Sequence, residues 1–271
     1  MSGNNPLGQA TVYPEHYTPD LLYAIARIDA RAALGIDAEP PFHGADIWNA
    51  WDLTWLDPDG HPRVGTAEFR VPADSPNLVE SKSLKLYLGS FAMSAFDSAR
   101  DLAAVIVKDL SAAAGKDVTV AVRDPDTPDG SAVARLPGHC IDARPVHCDT
   151  YEVDSGLLAA DAGTIVSEDL HSHLLRSLCP VTGQPDMGSV AISYRGPRID
   201  PAALLRYVVS YRQHQDFHEA CVERMFMDIC ERCGAEELSV SARYQRRGGL
   251  DINPFRSNFE TSVPNTRLWR Q

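Results

Sequence analysis

Ile47-Trp-Asn-Ala-Trp-Asp-Leu-Thr-Trp-Leu56, then Asp57-Pro-Asp-Gly60, then Arg63-Val-Gly-Thr-Ala-Glu-Phe-Arg-Val71 decides the fold class. Aromatic and β-branched runs on either side of a Pro, Asp and Gly turn predict a β-hairpin. Downstream, Ser94 to Ala114 carries helical periodicity, Gly115 stops it, and Asp117 to Arg123 reads as a strand. The order then recurs. Leu170 to Cys179 and Gly188 to Arg195 read as a second hairpin, Pro201 to Gln213 and His218 to Cys233 as helices, and Leu238 to Tyr244 as a strand. Corresponding elements sit at offsets of 125 residues (Val64 to Ser189) and 121 residues (Val118 to Ser239). Recurring order and spacing predict an α+β fold built by tandem duplication. The expected division is an N-terminal arm over 1–18, a first module over 19–145 and a second over 146–271. The join lies near Pro137 to Tyr151, after the turn-rich stretch Asp124 to Gly130.

Composition bounds the function. The chain has 271 residues, 44% of them hydrophobic, enough for a substantial core. Its formal net charge of −12 argues against nucleic-acid or anionic-membrane partners, which need a basic surface. No apolar run approaches the roughly 20 residues of a membrane span, and the first residues lack a secretory pattern. The expectation is therefore a cytoplasmic protein whose six cysteines stay reduced.

Six clusters carry chemistry. Ser177-Leu-Cys-Pro-Val-Thr-Gly-Gln-Pro-Asp186 sets a single thiol at a strand end and a carboxylate seven residues on, a nucleophile and a proton carrier. A buried structural thiol is the alternative. Cys230 and Cys233 have the spacing of a zinc pair but no second pair, so a packed helix end is favoured. His171 and His173 point the same way on a strand, with no acid or thiol adjacent in sequence, and read as a polar face before a ligand pair. Glu80-Ser-Lys-Ser-Leu-Lys-Leu-Tyr87 could hold a polar ligand, or could be a capped helix start with a solvated charged face. Phe217-His-Glu-Ala-Cys221 places His218 and Glu219 at a helix N-terminus, facing a site or serving only as a favoured first-turn acid and a cap-like polar residue. Arg243-Tyr-Gln-Arg-Arg-Gly-Gly-Leu250 joins arginines to a glycine pair suited to a phosphate, or to a plain hairpin turn.

Together, the segments at 80–87, 177–186, 217–226 and 243–258 resemble the NADPH-dependent 7-cyano-7-deazaguanine reductases of queuosine biosynthesis, in their long two-module subtype. That resemblance implies tunnelling-fold modules, with antiparallel sheets and paired helices that assemble into barrels, and a homodimer. It implies reduction of a nitrile to a primary amine, a four-electron change using two NADPH. Cys179 matches the family nucleophile that forms a thioimide, and Asp186 the proton donor. Val79, Glu80, Ser81, His218 and Glu219 match substrate-contacting positions, and Ser81, Lys82, Arg247 and Gly248 those assigned to NADPH.

Desolvation is expected to raise the pKa of Asp186 into donor range, with His218 as a second acid/base group. No metal is expected in the reaction. Cys221, two residues after Glu219, is a candidate for a reversible disulfide with Cys179. The alternatives are a zinc-dependent cyclohydrolase on the same fold and a non-catalytic purine- or pterin-binding module.

Overall fold

The computed structural model describes residues 13–36, 39–126 and 133–271. Its strands are β1 (Ala24–Ala26), β2 (His43–Leu56), β3 (Pro62–Pro72), β4 (Asn77–Val79), β5 (Thr119–Arg123), β6 (His139–Cys140), β7 (Ala160–Leu178), β8 (Pro185–Ile199), β9 (Glu237–Tyr244) and β10 (Leu250–Ser257). Its α-helices are α1 (Arg27–Ala32), α2 (Ser81–Gly89), α3 (Ala99–Ala114), α4 (Pro201–Ser210) and α5 (His218–Cys233). Eight strands form one sheet in the order β5-β3-β2-β10-β9-β8-β7-β6, while β1 and β4 pair separately. Every neighbour in the large sheet is antiparallel except β6 on β7. The sheet is mixed with helices on an α+β plan, as the alternation of strand and helix signals predicts.

Two apolar cores pack against this sheet. Leu84, Tyr87 and Leu88 of α2 and Leu102, Ile106 and Leu110 of α3 meet β2, β3 and Leu250. α4 and α5 contribute Leu204, Val208, Met225 and Ile229 to a larger core with β7, β8 and β9. Periodicity located the long helices because their buried residues recur every three to four positions.

Several expectations shift. The helix expected from Ser94 starts at Ala99, because Ser98 Oγ caps it by accepting from Asp101 N at 3.2 Å. The preceding residues are instead tied to β2, with Leu56 N donating to Ser94 O at 3.0 Å and Phe96 N to Leu56 O at 2.9 Å. Residues 80–87 form the capped start of α2, with Ser83, Leu84, Leu86, Tyr87 and Leu88 buried and Ser81, Lys82 and Lys85 half-buried on the remaining face. The second hairpin runs well beyond 170–195 at both ends, where exposed polar side chains alternate too weakly with apolar ones to mark a strand. Of the N-terminal arm, residues 1–12 lie outside the described residues, and its remainder is docked: Tyr17 stacks on Phe91 at 5.2 Å and donates its hydroxyl to Asp109 at 2.7 Å. Among the described residues no helix is long and apolar enough to cross a membrane.

A buried charge cluster joins the two ends of the chain beneath β2 and β10. Arg31 Nη2 and Arg256 Nη2 lie 2.7 and 2.8 Å from Glu223 Oε1, and Arg256 Nη2 lies 2.8 Å from Asp46 Oδ1. Arg27 pairs with Asp46 as well. All five side chains are almost wholly buried. Burial opposes ionisation of Asp46 and Glu223, but the guanidinium charges outweigh it and hold both carboxyls below their ordinary values of 3.8 and 4.5. Their contribution is present above that range and is lost as the pH falls beneath it. Arg256→Met leaves Asp46 and Glu223 short of a cation in a dry site. Urea denaturation should show a loss of about 3–5 kcal/mol, and a loss under about 1 kcal/mol would mean that the cluster does not hold the halves together.

Candidate active site

β7 ends at Leu178, and the chain turns back at once into β8. Gly183 N donates to Cys179 O and Cys179 N to Gln184 O, both at 2.9 Å, which closes the turn. Gly183 sits at φ +67°, a left-handed conformation that glycine adopts without strain. Cys179 therefore stands at the tip and Asp186 opposite Ser177 in the ladder. The loop before α5 hangs on the same strand end: Leu178 N donates to His214 O at 2.8 Å, and Asp216 N to Leu178 O at 3.2 Å. That attachment carries His218 and Glu219, the first residues of α5, to the thiol.

From the other half, Glu80 caps α2, its two oxygens accepting from Lys82 N at 2.8 Å and Ser83 N at 2.7 Å. Ser81 and Lys85, four apart, share one helix face. Arg247 comes from the turn between β9 and β10. These parts line one cavity of about 630 Å³, open mouth included, with Val79 and Glu219 in its wall and Trp48, Leu250 and Ile252 supplying apolar surface. The structure thus brings together Val79, Glu80, Ser81, Cys179, Asp186, His218, Glu219 and Arg247. Lys82 and Gly248 do not line it. Gly248 lies just behind, where a Cβ would stand 3.2 Å from Lys85 Cδ. Lys85, Thr182 and Phe217 were missed by sequence reasoning. Treating 80–87 as a helix would have put Lys85 on the face of Ser81.

The electrostatics are specific. Burial raises the pKa of the Cys179 thiol, but the Thr182 hydroxyl and the backbone N–H groups of Thr182 and Val181 outweigh it and bring the thiol below its ordinary value. Asp186 corrects an expectation. Desolvation does push its carboxyl up, but His218 and Arg247 push harder the other way, so it is held as a carboxylate and not as the acid expected. His218 Nε2 stands 3.3 Å from Asp186 Oδ2, and Arg247 pairs with Oδ1. The His218 ring stacks on Tyr244 at 3.6 Å and 4°, and among the described residues its buried Nδ1 has no partner. Glu219 is the reverse case: complete burial, then the neighbouring Asp46 charge, push its carboxyl up to about 8.

All six cysteines are free. Cys221 is fully buried, outside the cavity wall, and burial drives its thiol up. Cys230 and Cys233 end α5 before the Gly234 cap, and burial raises both to about 11, as fits packed helix-end thiols.

Known proteins resemble the chain along nearly its whole length. A family model described as nitrile reductase, 7-cyano-7-deazaguanine-reductase N-term, matches residues 13–122, and one described as QueF-like protein matches 185–262. The NADPH-dependent 7-cyano-7-deazaguanine reductase of Burkholderia vietnamiensis is 53% identical over 270 residues, covering 99% of this chain and 98% of that one. That of Dechloromonas aromatica is 52% identical over 269 residues, covering 98% and 95%. A solved apo structure of an archaeosine synthase described as QueF-Like aligns at TM-score 0.31 and 19% identity over 37% of this chain and 96% of that one, too weakly to bear on the fold. The thiol turn, the α5 start and both ends of the cavity wall fall inside relatives aligned over nearly the whole length, and the chain belongs to the family of NADPH-dependent 7-cyano-7-deazaguanine reductases.

Proposed function

We propose that this chain reduces the nitrile of 7-cyano-7-deazaguanine to the primary amine 7-aminomethyl-7-deazaguanine, with two NADPH, through a covalent adduct on Cys179, as a step of queuosine biosynthesis. The observation that carries the reading is the convergence of the Cys179 thiol, the Asp186–His218 pair and the carboxyl of Glu219 on one cavity. Cys179 Sγ adds to the nitrile carbon, and the nitrile nitrogen takes a proton, giving a thioimide whose carbon is a better hydride acceptor than the nitrile. Asp186, ionised, fixes His218 through Nε2, so the pair is placed to carry the protons that nitrogen needs. The deazapurine presents two N–H donors along one edge, which a carboxylate accepts side by side. Glu219 is placed for that role, and the apolar surface of Trp48 and Ile252 suits the ring.

NADPH, when bound, supplies the hydride. The residues fit it: Lys85 and Arg247 gather beside the cavity, and burial and then the Arg247 charge lower the Lys85 pKa, a strain that an anionic phosphate would relieve. Ser81, Lys82, Arg247 and Gly248 would hold the cofactor, with Lys85 alongside. A cyclohydrolase would need metal ligands at the thiol. Among the described residues, three such ligand atoms gather only at Cys140, His171 and His173, none of which lines this cavity.

The fold reading extends to two tunnelling-fold modules, on the support of two helix pairs with separate cores on one sheet. The short edge strands β5 and β6 leave ends to be covered in a homodimer. Six free thiols suit a reducing, cytoplasmic setting.

Incubation with the nitrile and NADPH should consume two cofactors per amine formed; no cofactor loss would end the proposal. Cys179→Ala is expected to lower turnover by more than about 10³-fold and to abolish the nitrile adduct seen by mass spectrometry in the wild type without NADPH. Alkylation of Cys179 by iodoacetamide should titrate below the ordinary thiol value of 9.0, and Thr182→Val should move that midpoint upward; an unchanged midpoint would remove the hydroxyl from thiolate stabilisation. Because Glu219 must shed its proton to accept the N–H edge, nitrile affinity in the Cys179→Ala background should rise with pH and level off near 8. Glu219→Gln should bind weakly and without that slope, as calorimetry would show.

A further inference from the structure

Cys140, His171 and His173 take no part in the cavity at Cys179, yet their ligand atoms all lie within 4.8 Å of one another. His171 and His173 project from one face of β7, with ring centroids 5.2 Å apart. Cys140 reaches them because β6 pairs with β7 in parallel, directly opposite His171. Ile141 N anchors that register by donating to His171 O at 2.9 Å.

The surrounding hydrogen bonds aim the imidazoles. His171 Nδ1 lies 2.9 Å from Pro137 O, which only accepts, so Nδ1 carries the hydrogen and Nε2 keeps its lone pair. His173 Nδ1 lies 2.9 Å from Ser189 Oγ, and among the described residues neither Nε2 has a hydrogen-bond partner. His171 is buried while Cys140 is exposed, so the cluster opens on one side. There it faces a surface cavity walled by Leu136, Leu174, Leu268 and Trp269. Arg270, which donates to Ser189 Oγ at 3.1 Å, opposes a cation there. A Cys140 thiolate and Asp142, which accepts from His173 N at 3.0 Å, offset it.

We propose that Cys140, His171 and His173 form a binding site for a divalent transition metal of the zinc class, with an open fourth position for water on the cavity side. One sulfur and two imidazole nitrogens match the ligands zinc prefers, and the lack of carboxylate ligands disfavours magnesium and calcium. On binding, the Cys140 thiol proton leaves to solvent, Sγ and the two Nε2 atoms donate their pairs to the metal, and no electron is transferred. Bonds of about 2.0–2.3 Å require the three donors to close in, and the exposed Cys140 side chain can supply that movement. The metal would clip β6, which is held by two residue pairs, onto β7, and so fix the segment that joins the two halves.

The test is cobalt(II) titration of the metal-free full-length protein. One equivalent should bind, with the thiolate-to-cobalt charge-transfer absorption and the intense visible bands of a four-coordinate site, and zinc should displace it. Cys140→Ser and His173→Gln should each weaken binding by more than about 100-fold and abolish the charge-transfer band, while keeping reductase activity, which shows that they are folded. Cys179→Ser should retain the band, and zinc should raise the Tm of the wild type but not of Cys140→Ser. No cobalt bound, a band that survives Cys140→Ser, or a band lost only in Cys179→Ser would overturn the proposal.

Discussion

Five charged side chains sealed from water hold this molecule in its working shape. Arg27 and Arg31 of α1, Asp46 of β2, Glu223 of α5 and Arg256 of β10 are each nearly wholly buried, so none can lose its partner without leaving an unpaired charge in a dry site. The cluster ties α5 to β2 and β10, and α5 begins with His218 and Glu219. Its charge also reaches Glu219, where Asp46 opposes ionisation and Arg27 and Arg256 only partly compensate. The joint that fixes the start of α5 therefore also sets the protonation of one of the cavity's carboxyls.

Three of the four acidic side chains that line the cavity are consequently in different conditions. Asp186 is ionised because a cation and an imidazole flank it. Glu219 is driven toward the neutral form by burial beside another carboxylate. Glu80 spends both oxygens on the first turn of α2, which fixes Ser81 and Lys85 at the cavity's edge. Pairs of carboxyls held in opposite states are how one site manages both proton transfer and recognition at one pH.

Much of this was legible in the sequence, and the rest fails for identifiable reasons. Cys179, Asp186, His218 and Glu219 sit in short local patterns, a strand end, a turn and a helix start, which one-dimensional reading handles well. The protonation of Asp186 was misjudged because burial was visible in its pocket setting while its pairing with Arg247, 61 residues away, was not. Lys85 escaped because a lysine near a helix start reads equally well as a solvated charge, and only the packing of α2 turns it to the cavity. His171 and His173 lacked a thiol nearby in sequence; Cys140 arrives through the parallel pairing of β6 on β7. The arm to Thr18 is partly docked because Tyr17 finds an aromatic pocket and Asp109, distant partners that composition does not announce.

The cavity wall draws Val79, Glu80, Ser81 and Lys85 from one half of the chain and Cys179, Asp186, His218 and Arg247 from the other. Neither half holds a complete set of catalytic and binding groups. If the two halves descend from one ancestral unit, each has surrendered what it would need to act alone, one keeping the thiol and the other half the helix beside it. Such division of labour is hard to reverse: α2 and a thiol nearly a hundred residues later line one cavity, so a change in either alters the site they share.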